Sequence, residues 1–198
     1  ALTRLPESIR ARLDVVQQCR PEDRERVEGA YRVAGIAAEL QTFFDDMPAR
    51  IASAHLVIGR SGASTMAELG IIGRPSILVP LPHSLDNDQK ANAEVLAGEG
   101  AAWMIEQRDF TEESLAEKLA DLFAHPETLN GAAAAAKATG QPQAVKKLAD
   151  LVEELGRGEF RRRMKRQVGN ASGSSRHRNH PLRRCRRYRH ERYCRGHA

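Results

Sequence analysis

A chain of 198 residues with 41% apolar side chains is long enough for one domain with a real core. It holds no apolar run near the roughly 18 residues of a spanning helix and no charged head before an apolar stretch, so it reads as neither a membrane span nor a secretory signal, and the cytosol is the expected compartment. The net charge of +5 hides a division: residues 161 to 198 carry 14 Lys or Arg against the lone acid Glu191, whereas the preceding 160 residues carry 17 bases against 25 acids.

The body therefore reads as an acidic globular domain, and the Arg- and His-rich tail as a segment with almost nothing to bury. Cys19, Cys185 and Cys194 are too few and too scattered for a disulfide framework or a zinc site.

In chain order, Leu5 to Leu13 predicts a helix and Leu13 to Gln18 a strand. Pro21 opens a charged helix to about Ala30, with acids in its first turn where the helix dipole favours them. Leu40 to Phe44 predicts a second strand, ending at Asp45-Asp46-Met47. Pro48 starts a helix through Ala54, and His55 to Gly59 forms a third strand.

A helix from Ser61 to Ile71 is followed by the turn Gly73-Arg74-Pro75 and a fourth strand, Ser76 to Pro80. The polar loop Leu81 to Asp88 leads to a helix from Gln89 to Ala97, closed by Gly98 and Gly100. Ala101 to Ile105 is a fifth strand. Thr111 opens an amphipathic helix with Leu115, Leu119, Leu122 and Phe123 on one face. Helices at Pro126 to Ala138 and Gln143 to Leu155 complete the body. Strands alternating with helices at this spacing predict βαβ units, a parallel sheet covered on both faces and ligands beyond the carboxyl ends of its strands.

Three segments fall at such ends. The first, Phe44 to Met47, follows a strand. The second is Arg60-Ser-Gly-Ala-Ser-Thr-Met-Ala-Glu68, where the strand His55 to Gly59 breaks at a Gly-containing turn and opens into a helix. Small residues there let the backbone approach an anion, and the free N–H groups of the first helical turn point at it. Ser61 and Ser64 are expected to cap this helix. Glu68, one turn further in, would repel a phosphate unless it sits to one side, where it can accept hydrogen bonds from a ribose. A nucleoside diphosphate is the ligand these residue types suit. The same segment read without a ligand is simply where an α/β chain reverses.

The third segment, Pro80 to Ala93, offers Asp88 as an acceptor and Gln89 as both donor and acceptor, which suits sugar hydroxyls better than a metal. Read structurally, Asp88 only caps the helix while Gln89 and Asn92 are solvated. His83 lies in the same loop, where solvation is the ordinary state of a histidine.

Taken together, Phe-Phe-Asp-Asp-Met47, Arg60 to Glu68, Val-Pro80, Asp88-Gln89 and Asn92-Ala93 resemble the C-terminal domain of the MurG family, in glycosyltransferase family 28 of the GT-B class. The resemblance runs from about Leu5 to Leu155. It implies a Rossmann-like α/β domain over residues 1 to 160, the C-terminal half of a GT-B fold with helices on both faces of a parallel sheet. The implied activity is inverting transfer of N-acetylglucosamine from its UDP ester to undecaprenyl-diphosphate-muramoylpentapeptide, in synthesis of the lipid-linked peptidoglycan precursor. The implied setting is the cytoplasmic face of the plasma membrane.

By the same resemblance, the main chain of Phe44 meets the uracil edge. Ala63, Ser64 and Thr65 stand at the diphosphate-binding helix start, Met66 and Ala67 are counted with them among the substrate-binding residues, Glu68 accepts from the ribose, and Gln89 contacts the hydroxyls of N-acetylglucosamine. Arg60, Ser61, Gly62, Asp88 and Asn92 flank these as further candidates. No metal, no cofactor and no catalytic residue is implied within this chain.

The Gly-Gly-Ser-Gln-Gly-Ala turn that opens the family's C-terminal domain is not found, nor is anything matching its N-terminal acceptor-binding domain, which carries the candidate base and the membrane-facing patch. The chain alone is therefore expected to bind UDP-N-acetylglucosamine weakly and not to turn over. That N-terminal domain, and through it the lipid-linked acceptor and the membrane, are the expected partners.

Residues 161 to 198 read as a disordered tail from a shifted reading frame. Back-translated from Arg176 to His197 and read one base later, they give a Val-Gly-Ala-Gly-Gly-Ile-Gly-Met-Ser-Gly stretch similar to the start of the UDP-N-acetylmuramate:alanine ligase family. No specific nucleic acid is expected as a partner. The alternatives are a related GT-B transferase with another acceptor such as diacylglycerol, a UDP-sugar epimerase, or a basic nucleic-acid-binding protein acting through its tail, with Tyr188 and Tyr193 stacking on bases.

Overall fold

The computed structural model describes residues 1–84 and 87–156; the basic tail, with the reading-frame and nucleic-acid expectations attached to it, lies outside them. The chain divides into two units, residues 1–144 and 145–198.

Among its described residues the first unit holds five strands: β1 (Asp14–Gln18), β2 (Ala37–Gln41), β3 (Val57–Gly59), β4 (Ser76–Leu78) and β5 (Ala102–Met104). Its helices are α1 (Glu7–Arg10), α2 (Arg24–Val33), α3 (Met47–Ser53), α4 (Ala63–Ile72), α5 (Asp88–Gly98), α6 (Glu112–Ala124) and α7 (Pro126–Thr139). Helix α8 (Ala144–Gly156), which begins at the last residue of the first unit, is the described part of the second. All strand pairings are parallel, as crossover helices require, but they form two ladders, β1 with β2 and β3-β4-β5, rather than one sheet. Leu13 at the head of β1 and Leu56 at the head of β3 nevertheless pack into one apolar cluster.

Strand β4 shows why this part of the fold is α/β. Successive side chains of a strand point to opposite faces, and both Ile77 and Leu78 are fully buried. Ile77 packs with Leu115, Leu119 and Leu122 of α6, whereas Leu78 packs with Ile51, Leu69 and Leu96 of α3, α4 and α5. Helices thus cover both faces of the larger ladder. On the smaller one, Tyr31 of α2 and Leu40 of β2 make a separate cluster with Cys19 and Ile36, while Val16 of β1 is about half exposed.

Several boundaries depart from the sequence expectation, and three of them matter to the fold or the site. The second strand runs from Ala37 to Gln41, not Leu40 to Phe44. Pairing with β1, Asp14 opposite Ala37 through Gln18 opposite Gln41, overrides the weak strand preference of Ala37-Ala38. The first helix shrinks from Leu5–Leu13 to Glu7–Arg10, because Leu5 is extended and Pro6 stands at the N-cap, and a separate 3-10 turn at Leu2–Arg4 precedes it. The third change, at the start of α4, concerns the site.

Helix α4 is held tightly from behind. Its C-cap is Gly73 in the left-handed region at φ 80°, a conformation that an L side chain adopts only with strain. Lys137 of α7 donates from Nζ to the carbonyl of Ile71, placing a cation at the negative end of the α4 dipole. Close by, Gly140 approaches so nearly that a Cβ there would stand 2.5 Å from the Gly70 carbonyl oxygen.

Candidate functional site

The site begins where β3 ends. Gly62, extended at φ −66° and ψ 153°, is the N-cap of α4, and no side chain caps the helix. This corrects the expectation for Ser61 and Ser64. Ser61 is completely buried, and its Oγ donates to the carbonyl of Gln89 at 2.7 Å. Ser64 already lies inside the helix.

The first intrahelical bond runs from the Met66 N–H to the Gly62 carbonyl at 3.0 Å. The N–H groups of Ala63, Ser64 and Thr65 therefore stay open at the positive end of a ten-residue helix whose first turn holds no acid. An uncapped start of this kind binds an anion better than a capped one, because no resident oxygen competes for the amides.

Glu68 stands four residues after Ser64 and three after Thr65, on the same helix face. It is half-buried. Side chains on a helix lean toward its N-terminus, so the carboxylate leans back toward the open amides without lying on the axis. Ala63 and Ala67 add little bulk and are exposed, and Met66 packs against the core.

Helix α5 is locked to this start. Besides the Ser61 bond, Asn92 donates from Nδ2 to the Ser61 carbonyl at 3.1 Å, so Ser61 gives a hydrogen bond across 28 positions of sequence and receives one across 31. Gln89 accepts from the Leu81 N–H through Oε1 at 3.0 Å. That bond fixes the amide orientation and leaves Nε2 as the outward donor. Asp88 is the first residue of α5, whose N-cap is Asn87 with no side-chain cap, and its carboxylate accepts from the neighbouring Gln89 N–H at 2.8 Å. Arg60 donates to the carbonyls of Val79 and Pro80 at 3.0 and 3.2 Å, which anchors a guanidinium at the carboxyl ends of β3 and β4. His83 is exposed in a left-handed conformation at φ 58°.

The Phe44 segment joins through the core, since Met47 and Ile51 of α3 pack with Leu69 and Met66 of α4. Phe44 lies beyond the end of β2, buried at 6% exposure, and neither its N–H nor its carbonyl meets a partner among the described residues. The segment is tied at its start by Gln18, whose Nε2 donates to the Thr42 carbonyl at 3.0 Å. A hollow of about 350 Å³ between Gln18, Cys19, Arg20, Pro21 and Thr42 adjoins this tie.

Sequence reasoning passed over Arg50. Its guanidinium forks onto both carboxylate oxygens of Glu39 at 2.6 and 3.0 Å, takes Asp46 through Nε at 2.6 Å, and lies 4.3 Å from the centre of the Phe44 ring. The hydrogen bonds from Arg50 hold the Glu39 and Asp46 carboxyls below their usual range, and the same bonds raise the guanidinium further. The Asp46 to Arg50 spacing of four was readable as a helical ion pair; the reach to Glu39 was not. At the far side, Lys90 pairs with Glu106 at 2.8 Å, bracing the first turn of α5 against the end of β5. That hydrogen bond lowers the carboxyl of Glu106.

Residues 1–153 match the family described as the glycosyltransferase family 28 C-terminal domain. The chain belongs to that family. A relative from Methylobacterium nodulans, named UDP-N-acetylglucosamine--N-acetylmuramyl-(pentapeptide) pyrophosphoryl-undecaprenol N-acetylglucosamine transferase, is 59% identical over 155 residues, covering 78% of this chain and 42% of its own. One of the same name from Paramagnetospirillum magneticum is 53% identical with the same coverage. The chain thus spans less than half the length of the curated relatives it matches.

Among solved structures, Acinetobacter baumannii MurG superposes with a TM-score of 0.67 at 29% identity, covering 77% of this chain and 48% of that one. The glycosyltransferase VinC shares the fold, at TM-score 0.54 and 22% identity over 74% of this chain and 36% of its own. The family 28 domain is therefore an α/β domain of the GT-B kind. Among its described residues no helix is long and apolar enough to cross a membrane.

Proposed function

We propose that this family 28 domain binds UDP-N-acetylglucosamine and presents its anomeric carbon for transfer to a lipid-linked muramoyl pentapeptide in peptidoglycan precursor synthesis. The observation that carries the reading is the uncapped start of α4, with three open N–H groups and no acid in its first turn, one helical turn ahead of Glu68, which has no hydrogen-bond or ion-pair partner among the described residues.

In this reading the amides of Ala63, Ser64 and Thr65 take the diphosphate, with Met66 and Ala67 completing the turn and Gly62 allowing close approach. Group transfer breaks the bond between the anomeric carbon and the diphosphate oxygen. The electron pair leaves with UDP, so donors already aimed at that oxygen stabilise the charge as it develops. Arg60 adds a cation at the same strand ends, and no cofactor or metal is enlisted.

Glu68 accepts from the ribose hydroxyls. The open N–H and carbonyl of Phe44 match a base edge that offers an acceptor beside a donor, as uracil does. Gln89 donates from Nε2 to a sugar hydroxyl, while Ser61, Asp88 and Asn92 hold the frame rather than the ligand. The acceptor hydroxyl, its base and the membrane contact belong to an acceptor-binding domain supplied beside this one, at the cytoplasmic face of the membrane. That domain and the lipid-linked acceptor are the proposed partners.

Amide NMR of the full chain with millimolar UDP-N-acetylglucosamine tests the reading. Shifts should concentrate at Phe44, Ala63 to Thr65, Glu68 and Gln89. A folded chain whose signals stay still refutes it. Competition by UDP-glucose on equal terms would point to another donor, and so to a related transferase.

A further inference from the structure

The residues between Thr42 and Asp46 have few anchors. Gln18 holds the Thr42 carbonyl, and the Asp46 carbonyl accepts from the N–H groups of Ala49 and Arg50 at 3.0 and 3.2 Å. Between these points Phe43 is 69% exposed, and the main chain of Phe43, Phe44 and Asp45 has no hydrogen-bond partner among the described residues. Something else must set the pitch of the Phe44 peptide groups.

Arg50 is the side chain that spans the gap. It grips Glu39 on the last paired strand before the loop, Asp46 at the end of the loop, and the Phe44 ring in the middle. Two parallel N–H to oxygen bonds define a plane as well as a distance. A guanidinium in that plane, stacked on the ring, restricts both the depth of Phe44 and the rotation of its backbone.

We propose that Arg50 is a positioning residue for nucleobase recognition: it pre-sets the Phe44 main chain so that the N–H and carbonyl face the base edge before ligand arrives. The inference rests on the donor-binding reading above and deepens it. Arg50 touches no part of the ligand in this account, and its effect is confined to the base end of the donor. The diphosphate end is built by α4 and the Ser61 bonds, which Arg50 does not reach.

The test compares wild type, Arg50→Ala, Arg50→Lys and Glu39→Gln in the full chain, by amide NMR titration with UDP and with inorganic diphosphate. Arg50→Ala should weaken UDP about tenfold, the factor expected when a loop must be ordered at the moment of binding, and leave diphosphate within about twofold. The free variant should show moved Phe44 and Asp45 amides with those of α4 in place. Arg50→Lys, which keeps the charge but loses the fork, should recover only part of the UDP affinity.

Unaltered UDP binding in a folded Arg50→Ala, or an equal loss for UDP and diphosphate, overturns the inference. If Arg50→Ala does not fold, Glu39→Gln must show the same base-selective loss at smaller size, and its failure to do so overturns the inference as well. Wild type that binds UDP no better than diphosphate sinks the base-recognition reading along with this one. Wild type that prefers UDP while all three variants match it sinks the Arg50 role alone.

Discussion

Replacing Ser61 by Ala removes a donor from a site with no access to water. The hydroxyl is completely buried and gives a 2.7 Å hydrogen bond to the Gln89 carbonyl. An acceptor left wholly unpaired inside a protein costs about 1–3 kcal/mol. Gln89 lies in the first turn of α5, so its carbonyl also faces the helical N–H four residues on, which puts the expected loss near the lower half of that range, about 1–1.5 kcal/mol. For a chain of this size the melting temperature should fall by roughly 2–6 °C.

Urea unfolding followed by the fluorescence of Trp103, the only tryptophan, measures the loss, with the slope unchanged because no additional surface is exposed. Asn92→Ala removes the bond to the Ser61 carbonyl, and the double variant should lose less than the sum of the two, since both act on one joint between α4 and α5. A loss below about 0.5 kcal/mol with the Leu81 and Gln89 amides unmoved would refute the claim that this joint holds the two helix starts together.

Three other outcomes are expected. Gly140→Ala should cost about 1–3 kcal/mol in the same unfolding assay, because the new Cβ would meet the Gly70 carbonyl oxygen at 2.5 Å and its nearest neighbours are backbone atoms of Gly70 and Ile71; wild-type stability would show that α7 can slide away freely. Glu68→Ala should weaken UDP about tenfold, or about 1.4 kcal/mol, and leave inorganic diphosphate unaffected, as read by titration; equal effects on both would remove Glu68 from the ribose. Glu39 and Asp46 have folded carboxyls held below their ordinary values of 4.5 and 3.8 by the Arg50 hydrogen bonds, so their contribution is full above those values and is lost as pH falls beneath them. The Phe44 amide should accordingly stay constant down to that range and move only below it; a transition at or above the ordinary values would show that the fork does not hold.

Much of this domain was legible from residue order alone. A strand ending at Gly59, a Gly turn and a helix read to Ile71, a strand opening at Ser76, and the α6 stripe of Leu115, Leu119 and Leu122 follow from local periodicity and from Gly and Pro punctuation. The opening of α6 at Thr111 is likewise local, whereas the capping box that Thr111 makes with Ser114 was read only from the structure. The family 28 resemblance rested on such local words in a fixed order. Tertiary structure alone decided what Ser61 does: a hydroxyl next to a helix start usually caps it, but here it donates its hydrogen bond to a carbonyl 28 residues away and leaves the amides open.

Tertiary structure likewise moved β2 back to Ala37, because pairing with β1 outweighs the preference of alanine, and it brought Arg50 to Glu39. Periodicity reports neighbours at two, three or four positions along one element. Partners brought together by folding across a sheet or between helices leave no such spacing to read.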